Sequence, residues 1–373
     1  MATYQTRHPE NFIQDFLSPY QASTHRGFLP EFFPCEALPE AYAEWEELAQ
    51  QIPSTERDCI RREIEKLPPF PSVEMLDLAQ TERAMLVLSV LGQAYLHSGE
   101  SKVEVLPEQI ARPWQDMAFQ LGRLPVINHT SLVLYNWKLT DPAGGFRIEN
   151  LNTLLSFTNS LDEKWFFLVT VMVEYAGGVA LKHAIGACLA ATEGNTRLAL
   201  SHLEKVPAAV RRMQAELEQM YDHCDPDYFY HQIRPWLGGV EGVVYAGTGD
   251  QSPRTYAGGS AAQSTLLQVL DASLGIAHQT PYLKAMQAYM PPSHRQLIAA
   301  AKPLGQRLAS LDLSGDYLGK SREALKAFRQ AHLEITAKYV IEPARKAGSS
   351  TMGTGGTDAL KFLKQIRDES HAE

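Results

Sequence analysis

Cysteine is sparse in this sequence, and its placement excludes more than its number does. Cys35, Cys59, Cys188 and Cys224 are scattered without CxxC spacing, which argues against a disulfide framework or a zinc finger and fits a reducing compartment. Positive charge is also short. With 34 Lys and Arg against 43 Asp and Glu, the net charge is −9, too acidic for a nucleic-acid coat. No long apolar run is free of charge. The best candidate, WFFLVTVMVEYAGGVALKHAIGACLAA at residues 165–191, carries Glu174 within it and Lys182 and His183 in its second half. Each charge costs about 3 kcal/mol at a bilayer centre, so a buried core helix is expected there. Residues 1–17 lack a basic stretch followed by an apolar one, so no signal peptide is expected. No unit of about 20–50 residues repeats, which excludes a solenoid. With 45% apolar residues the chain is too hydrophobic for disorder. A soluble, cytoplasmic globular protein with no nucleic-acid or membrane partner is the expectation.

What is present is helical periodicity. In LPEAYAEWEELAQQI, Leu38, Tyr42, Trp45, Leu48 and Ile52 recur at helical spacing, with Pro39 near the start where its missing N–H does no harm. Residues 81–95 and 107–121 predict further helices. The segment LPVINHTSLVLYNW follows, and then a loop-rich stretch, LTDPAGGFRIENLNTLLSFTNSLDEK, containing Pro, Gly and Asn. A domain boundary is placed there, near residue 150. Beyond it come the apolar helix, an amphipathic helix over residues 196–223 and a Gly-rich irregular region over 238–260. Helices are then expected over 261–276, after MPPSHR and over 322–339. The fold class is all-α. A small N-terminal helical domain, residues 1–150, stands against a larger helical domain, residues 151–373.

The most informative helix is SREALKAFRQAHLEITAKYV, where Leu325, Phe328, His332, Ile335 and Tyr339 fall at spacings of 3, 4, 3 and 4. His332 therefore faces the core. A buried imidazole on an apolar stripe is ordinarily a hydrogen-bonded core residue, but a single axial histidine is also how haem iron is held in a helical pocket. Such a ligand needs its second ring nitrogen held, and nearby fixed charges tune it. Arg329 lies one turn before it, and Asp271 projects from another candidate core helix. In YFYHQIRPWLGG, Phe229 and Arg234 stand five residues apart just before Pro235. An aromatic platform beside a guanidinium suits an amphipathic ligand bearing a carboxylate; the plain alternative is a surface arginine beside core aromatics.

The Gly-rich pieces sort differently. GDYLGKS resembles a phosphate loop, but only three residues separate Gly315 from Gly319 where four are required. AGGSAAQS opens a helix, by close backbone approach to a flat ligand or by an ordinary cap. GTGGTDALKFL is a flexible loop with Thr357 or Asp358 capping a final amphipathic helix, and its functional reading is a lid with backbone donors. His223, Cys224, Asp227 and His231 fit no standard metal spacing.

Together, WFFLVTVMVEYAGG, FYHQIRPWL, YAGGSAAQS, YMPPSHR, AHLEITAKY and GTGGTD resemble the indoleamine 2,3-dioxygenase family, in the family's order and from about residue 38 to the final helix. The resemblance implies a two-domain all-α fold with one haem b in the larger domain and His332 as its proximal ligand. It implies that Phe166, Phe167 and Thr170 line the distal side, Thr170 standing for a family serine. Phe229 and Arg234 match the positions that pack on the indole and pair with the substrate carboxylate. Ser260 matches a residue beside the haem edge, and Thr354 belongs to a mobile loop that closes over substrate. Arg329 and Asp271 match an ion pair behind the proximal histidine. Two further departures bear on substrate. His129 stands where animal members have a distal tyrosine; the related tryptophan 2,3-dioxygenases and a bacterial pyrrolnitrin-pathway enzyme carry a histidine in the comparable pocket position. Tyr230 replaces a second family phenylalanine.

The implied activity is haem-dependent cleavage of the indole C2–C3 bond of L-tryptophan or a related indole by O2, giving an N-formylkynurenine-type product. An electron donor would keep the haem ferrous, and the protein would be a monomer or weak homo-oligomer. His129 either accepts the indole N–H or sits as a polar residue at the pocket rim. The rival expectations are a haem oxygenase acting on a different indole or aromatic amine, and a non-catalytic haem-binding or gas-sensing protein.

Overall fold

The apolar stretch around Glu174 becomes the axis of the molecule. In the computed structural model, which describes residues 9–313, 315–349 and 351–370, Leu161–Thr192 is one helix of 32 residues, about 48 Å long at 1.5 Å per residue. The leader reading of residues 1–17 lies in part outside the described residues. Ser160 fixes the start of this central helix by accepting the Glu163 N–H at 3.1 Å, while the Glu163 carboxylate accepts the N–H groups of Phe157 and Thr158, each at 2.6 Å. These bonds order the chain entering the first turn and satisfy a donor that the turn leaves open. Among the described residues it is the one helix long and apolar enough to cross a membrane, and 67% of its most apolar window is buried inside the protein. Helices Thr196–Leu203, Val206–Glu218, Thr265–Ser273 and Pro292–Ala309 wrap it. Contact is close at Gly177, where an added Cβ would run into the Leu266 side chain, and at Gly178, where it would lie 2.5 Å from the Gly27 nitrogen. Gly27 itself has φ +62°, a backbone that favours glycine.

The helix that carries the His332 stripe, Tyr317–Thr336, packs on Val206–Glu218 and on the C-terminal helix Ala359–Glu369. Of the two candidate caps for that last helix, Asp358 is the one used, accepting the Lys361 N–H at 3.0 Å. In the N-terminal part, Leu38, Tyr42, Trp45, Leu48 and Ile52 are all buried, as their spacing requires. Helix Leu78–His97 is longer at both ends than expected, and Asp77 and Gln80 form a reciprocal cap at its start. It pairs with Glu108–Gln120, where the Trp114 ring fills the space a side chain at Gly92 would need.

The class is all-α, and the differences from expectation are local. Residues 238–260 are not irregular throughout. Strand Val240–Tyr245 runs antiparallel to Arg254–Tyr256 and parallel to Val105–Leu106. Its valines favour the pleated surface, and Gly242 at φ +66° sits in the register shift between Val240 and Val243. A short antiparallel pair, Lys138–Leu139 with Leu151–Asn152, lies where the boundary near residue 150 is expected. The single helix expected over 196–223 is three, Thr196–Leu203, Val206–Glu218 and Met220–His223. Pro207 in the first turn of the middle one has no N–H with which to continue the preceding helix. Residues 261–276 form a 3₁₀ turn, Ala261–Gln263, before helix Thr265–Ser273. The helix expected over 322–339 starts at Tyr317 and passes into a π-helical turn, Ala337–Ile341.

Candidate functional site

Three π-helical turns, Thr130–Leu134, Phe229–Ile233 and Ala337–Ile341, border one cavity. In the second, the Arg234 N–H donates to the Phe229 carbonyl. On an α-helix these side chains would diverge by about 140°; a π turn, with its five-residue hydrogen-bond step, brings them close to one face.

One face of the central helix supplies Phe166, Phe167, Thr170, Val173 and Glu174 to the wall. Phe166 packs on Phe229 with ring centroids 4.8 Å apart, and Phe229 meets Tyr339 edge-on at 5.9 Å. Tyr339 is anchored in turn, its hydroxyl donating to the carbonyls of Met220 and Cys224 at 3.0 and 2.8 Å. From the opposite helix come Phe328, His332, Ile335 and Thr336.

Neither ring nitrogen of His332 has a hydrogen-bond partner among the described residues, and the Thr336 hydroxyl donates to its backbone carbonyl at 2.9 Å. The surface that its side chain retains faces the cavity. Burial pushes its pKa down to about 4, and the Arg329 charge adds to this. At neutral pH the ring is therefore uncharged, the form that binds a metal. Among the described residues nothing holds its second ring nitrogen, as a ligand histidine is expected to require. Small residues at Gly259, Ala261 and Ala262 border the same space. A neutral, unpartnered imidazole facing an apolar chamber with small residues at its edge fits a haem.

Arg329 and Asp271 form the expected ion pair, but outside the cavity lining. Arg329 Nη2 donates to both Asp271 oxygens at 2.5 and 2.6 Å, and Nη1 donates to Ser370 Oγ at 2.5 Å. His278 completes the group, with Nε2 3.0 Å from Asp271 and Nδ1 2.8 Å from Glu369. Burial alone would raise Asp271, yet Arg329 and His278 hold its pKa below the usual range. Burial likewise opposes charge on His278, and Asp271 and Glu369 overcome it, raising its pKa. The network ties the His332 helix to Thr265–Ser273 and to the C-terminal helix. Sequence reasoning missed His278, whose partners lie on separate elements.

Arg234 has no carboxylate partner among the described residues. Its guanidinium sits 5.3 Å from the Tyr230 ring centroid and donates to the Met352 carbonyl, and burial lowers its pKa. The loop that follows Met352 covers the cavity. Thr354 Oγ1 donates to the Gly259 carbonyl at 2.6 Å, and the Gly258 N–H donates to the Thr354 carbonyl at 3.1 Å. Tyr282 donates to the Gly355 carbonyl at 3.2 Å, and Ser260 borders the cavity while accepting the Ala262 N–H at 3.3 Å.

His129 also lines the cavity, with Nε2 2.9 Å from Glu174 Oε1. Sequence reasoning took Glu174 only as a charge interrupting an apolar run; the signal in it was an acid on the same face as Phe166 and Thr170. Among the described residues no cluster of three or more His, Cys, Asp or Glu side chains is arranged to hold a metal, so His223, Cys224, Asp227 and His231 do not form such a site. Phe166, Phe167, Thr170, Phe229, Arg234, Ser260, His332, Thr354 and His129 thus meet around one chamber.

The family model described as Indoleamine 2,3-dioxygenase matches residues 16–373. The chain belongs to the indoleamine 2,3-dioxygenase family. Among its relatives, indoleamine 2,3-dioxygenase of Saccharomyces cerevisiae is 32% identical over 95% of this chain and 93% of its own length. Indoleamine 2,3-dioxygenase 1 of Rattus norvegicus is 33% identical over 96% of each chain. Indoleamine 2,3-dioxygenase 2 of Homo sapiens is 33% identical over 95% of this chain and 94% of its own. The indoleamine 2,3-dioxygenase family is haem-dependent and uses O2, which agrees with a chamber lined by the unpartnered ring of His332.

Proposed function

We propose that this protein is a haem-dependent dioxygenase that cleaves the indole C2–C3 bond of L-tryptophan or a closely related indole with O2, giving an N-formylkynurenine-type product. The observation that carries this reading is the neutral, unpartnered imidazole of His332 facing an apolar chamber that also holds Phe229 and Arg234. His332 would bind the iron of haem b, and Gly259, Ser260, Ala261 and Ala262 would border the macrocycle. When bound, haem supplies the redox-active centre at which O2 is activated, and an electron donor keeps it ferrous.

The chain's own residues do the rest. Arg234 offers a guanidinium fork to the substrate carboxylate; burial disfavours its charge, so a carboxylate there relieves a cost. Phe229, backed by Phe166 and Tyr339, gives the indole a flat apolar surface. Phe167, Thr170 and Val173 keep the reacting end in apolar surroundings, and the loop at 353–357 excludes water while substrate is held. His129 accepts the indole N–H. Residues 1–150 act as a smaller domain contributing His129, and residues 151–373 carry the other groups. The protein works in the cytoplasm as a monomer or weak homo-oligomer.

A second reading, oxygenation of a different indole or aromatic amine, is favoured by the His129–Glu174 pair at a position where animal relatives carry tyrosine. The test is exposure of the ferrous protein to L-tryptophan and other indoles under ¹⁸O2, with mass spectrometry of the products. A ring-opened product carrying two labelled oxygens is expected from tryptophan. The second reading predicts labelled product only from another indole, and no incorporation into any of them would contradict dioxygenation.

A further inference from the structure

Glu174 is 2% exposed, with Val171, Met172 and Val173 before it and Ala176 after it all buried. A carboxyl group in such surroundings costs several kcal/mol unless its oxygens are bonded. Oε1 accepts from Ser264 Oγ at 2.7 Å and meets His129 Nε2 at 2.9 Å, whereas Oε2 is buried without a partner. The backbone of His129 is held as well. Its N–H donates to Gln263 Oε1 at 3.0 Å, and Gln263 Nε2 donates to the Gly258 carbonyl at 2.9 Å. Main chain and ring are both fixed to residues 263–264 and to the central helix. An ionised carboxylate only accepts hydrogen bonds. With the carboxylate ionised and the ring neutral, the proton between Oε1 and Nε2 sits on Nε2, and Nδ1 carries the lone pair. No described residue partners Nδ1, and His129 lines the chamber.

We infer that Glu174 is a positioning residue that holds His129 as the Nε2–H tautomer, so that Nδ1 accepts the ring N–H of the bound indole. The inference rests on the indole reading above and adds to it a means of discrimination, because a substrate ring without an N–H leaves Nδ1 unpaired in an apolar chamber. Sites built to receive a hydrogen bond reject analogues that lack it far more strongly than apolar pockets reject a methylene. Ser264 shares Oε1 and fixes the carboxylate plane.

The test uses the haem-loaded protein in its diamagnetic ferrous CO form, labelled with ¹⁵N-histidine, with His129 assigned by difference from His129→Phe. A protonated Nε2 and an unprotonated Nδ1 are expected. In Glu174→Gln, whose amide donates as well as accepts, the Nδ1–H tautomer should grow in. In parallel, dissociation constants are measured for L-tryptophan and for its isosteric benzofuran analogue, which has ring oxygen in place of N–H. The parent should prefer tryptophan by about tenfold or more, and Glu174→Gln should reduce that ratio at least about fivefold by weakening tryptophan alone. Nδ1–H or doubly protonated His129 in the parent overturns the inference, as does an unchanged ratio in Glu174→Gln. If the parent binds no tryptophan, the indole reading fails, while the tautomer still decides what Glu174 does. Should Glu174→Gln not fold, Ser264→Ala replaces it. Retention of the Nε2–H tautomer there supports Glu174 as its cause, and its loss contradicts it.

Discussion

Single side chains set the chemistry here by what they lack as much as by what they touch. The His332 ring has no hydrogen-bond partner and Arg234 no carboxylate among the described residues, so each is ready for a group that arrives from outside. Arg234→Leu should raise the tryptophan KM strongly, lowering kcat/KM by roughly 2 to 5 kcal/mol in transition-state terms if the pair is desolvated. Steady-state kinetics check this, and an unchanged kcat/KM would remove Arg234 from the site. Spacing made the inward-facing His332 legible, but residue type and spacing left its role and those of Phe229 and Arg234 open, and it was the resemblance to the family that pointed to all three. Glu174 was not legible. An isolated acid in an apolar run reads as an interruption, and its partners Ser264 and His129 lie far off in the chain.

At the scale of elements, the helices were legible and the turns between them were not. Periodicity located the Tyr317–Thr336 stripe, since Leu325, Phe328 and Ile335 must all turn inward. The π-helical turns leave no such mark, because their five-residue hydrogen-bond step is imposed by packing around the cavity. Strand Val240–Tyr245 was hidden for a related reason: it is short, broken by Gly242, and pairs with the remote Val105–Leu106. The covering loop is itself an element whose closure can be measured. Thr354→Ala removes the bond to the Gly259 carbonyl, worth about 0.5–1.5 kcal/mol. Amide exchange over residues 353–357 should quicken by roughly twofold to tenfold; unchanged exchange would show that the bond does not hold the loop. Gly178→Ala sets two effects against each other. Alanine favours a helix by about 1 kcal/mol, but its Cβ would lie 2.5 Å from the Gly27 backbone nitrogen, and overpacking costs about 1–3 kcal/mol. Net destabilisation is expected in denaturant titration; a stabilised variant would mean that residues 25–27 yield easily.

For the whole molecule, one apolar cluster joins Ile13, Trp114, the central helix and Tyr339, so buried groups far from the chamber bear on its stability. Burial pushes the pKa of His294 down to about 3 and that of His97 to about 4. The unfolded chain, with histidines near 6.5, binds these protons first as pH falls. Their contribution is thus complete above about pH 6.5 and is lost progressively towards pH 4 and below, at up to about 1.4 kcal/mol per pH unit for each group. Glu82 and Glu163, whose pKa values burial raises, act in the opposite sense. Urea unfolding of parent and His294→Gln between pH 7 and 4 separates the terms. The variant should show the shallower loss, and equal slopes would remove His294 from the balance.

The most direct measurement is the absorbance spectrum of His332→Ala, purified beside the parent after identical haem supplementation and gel filtration. Loss of the Soret band together with loss of tryptophan turnover is expected, because His129, the other histidine at the chamber, is tied to Glu174. An unchanged Soret band with unchanged turnover would contradict the assignment of His332 and the reading built on it.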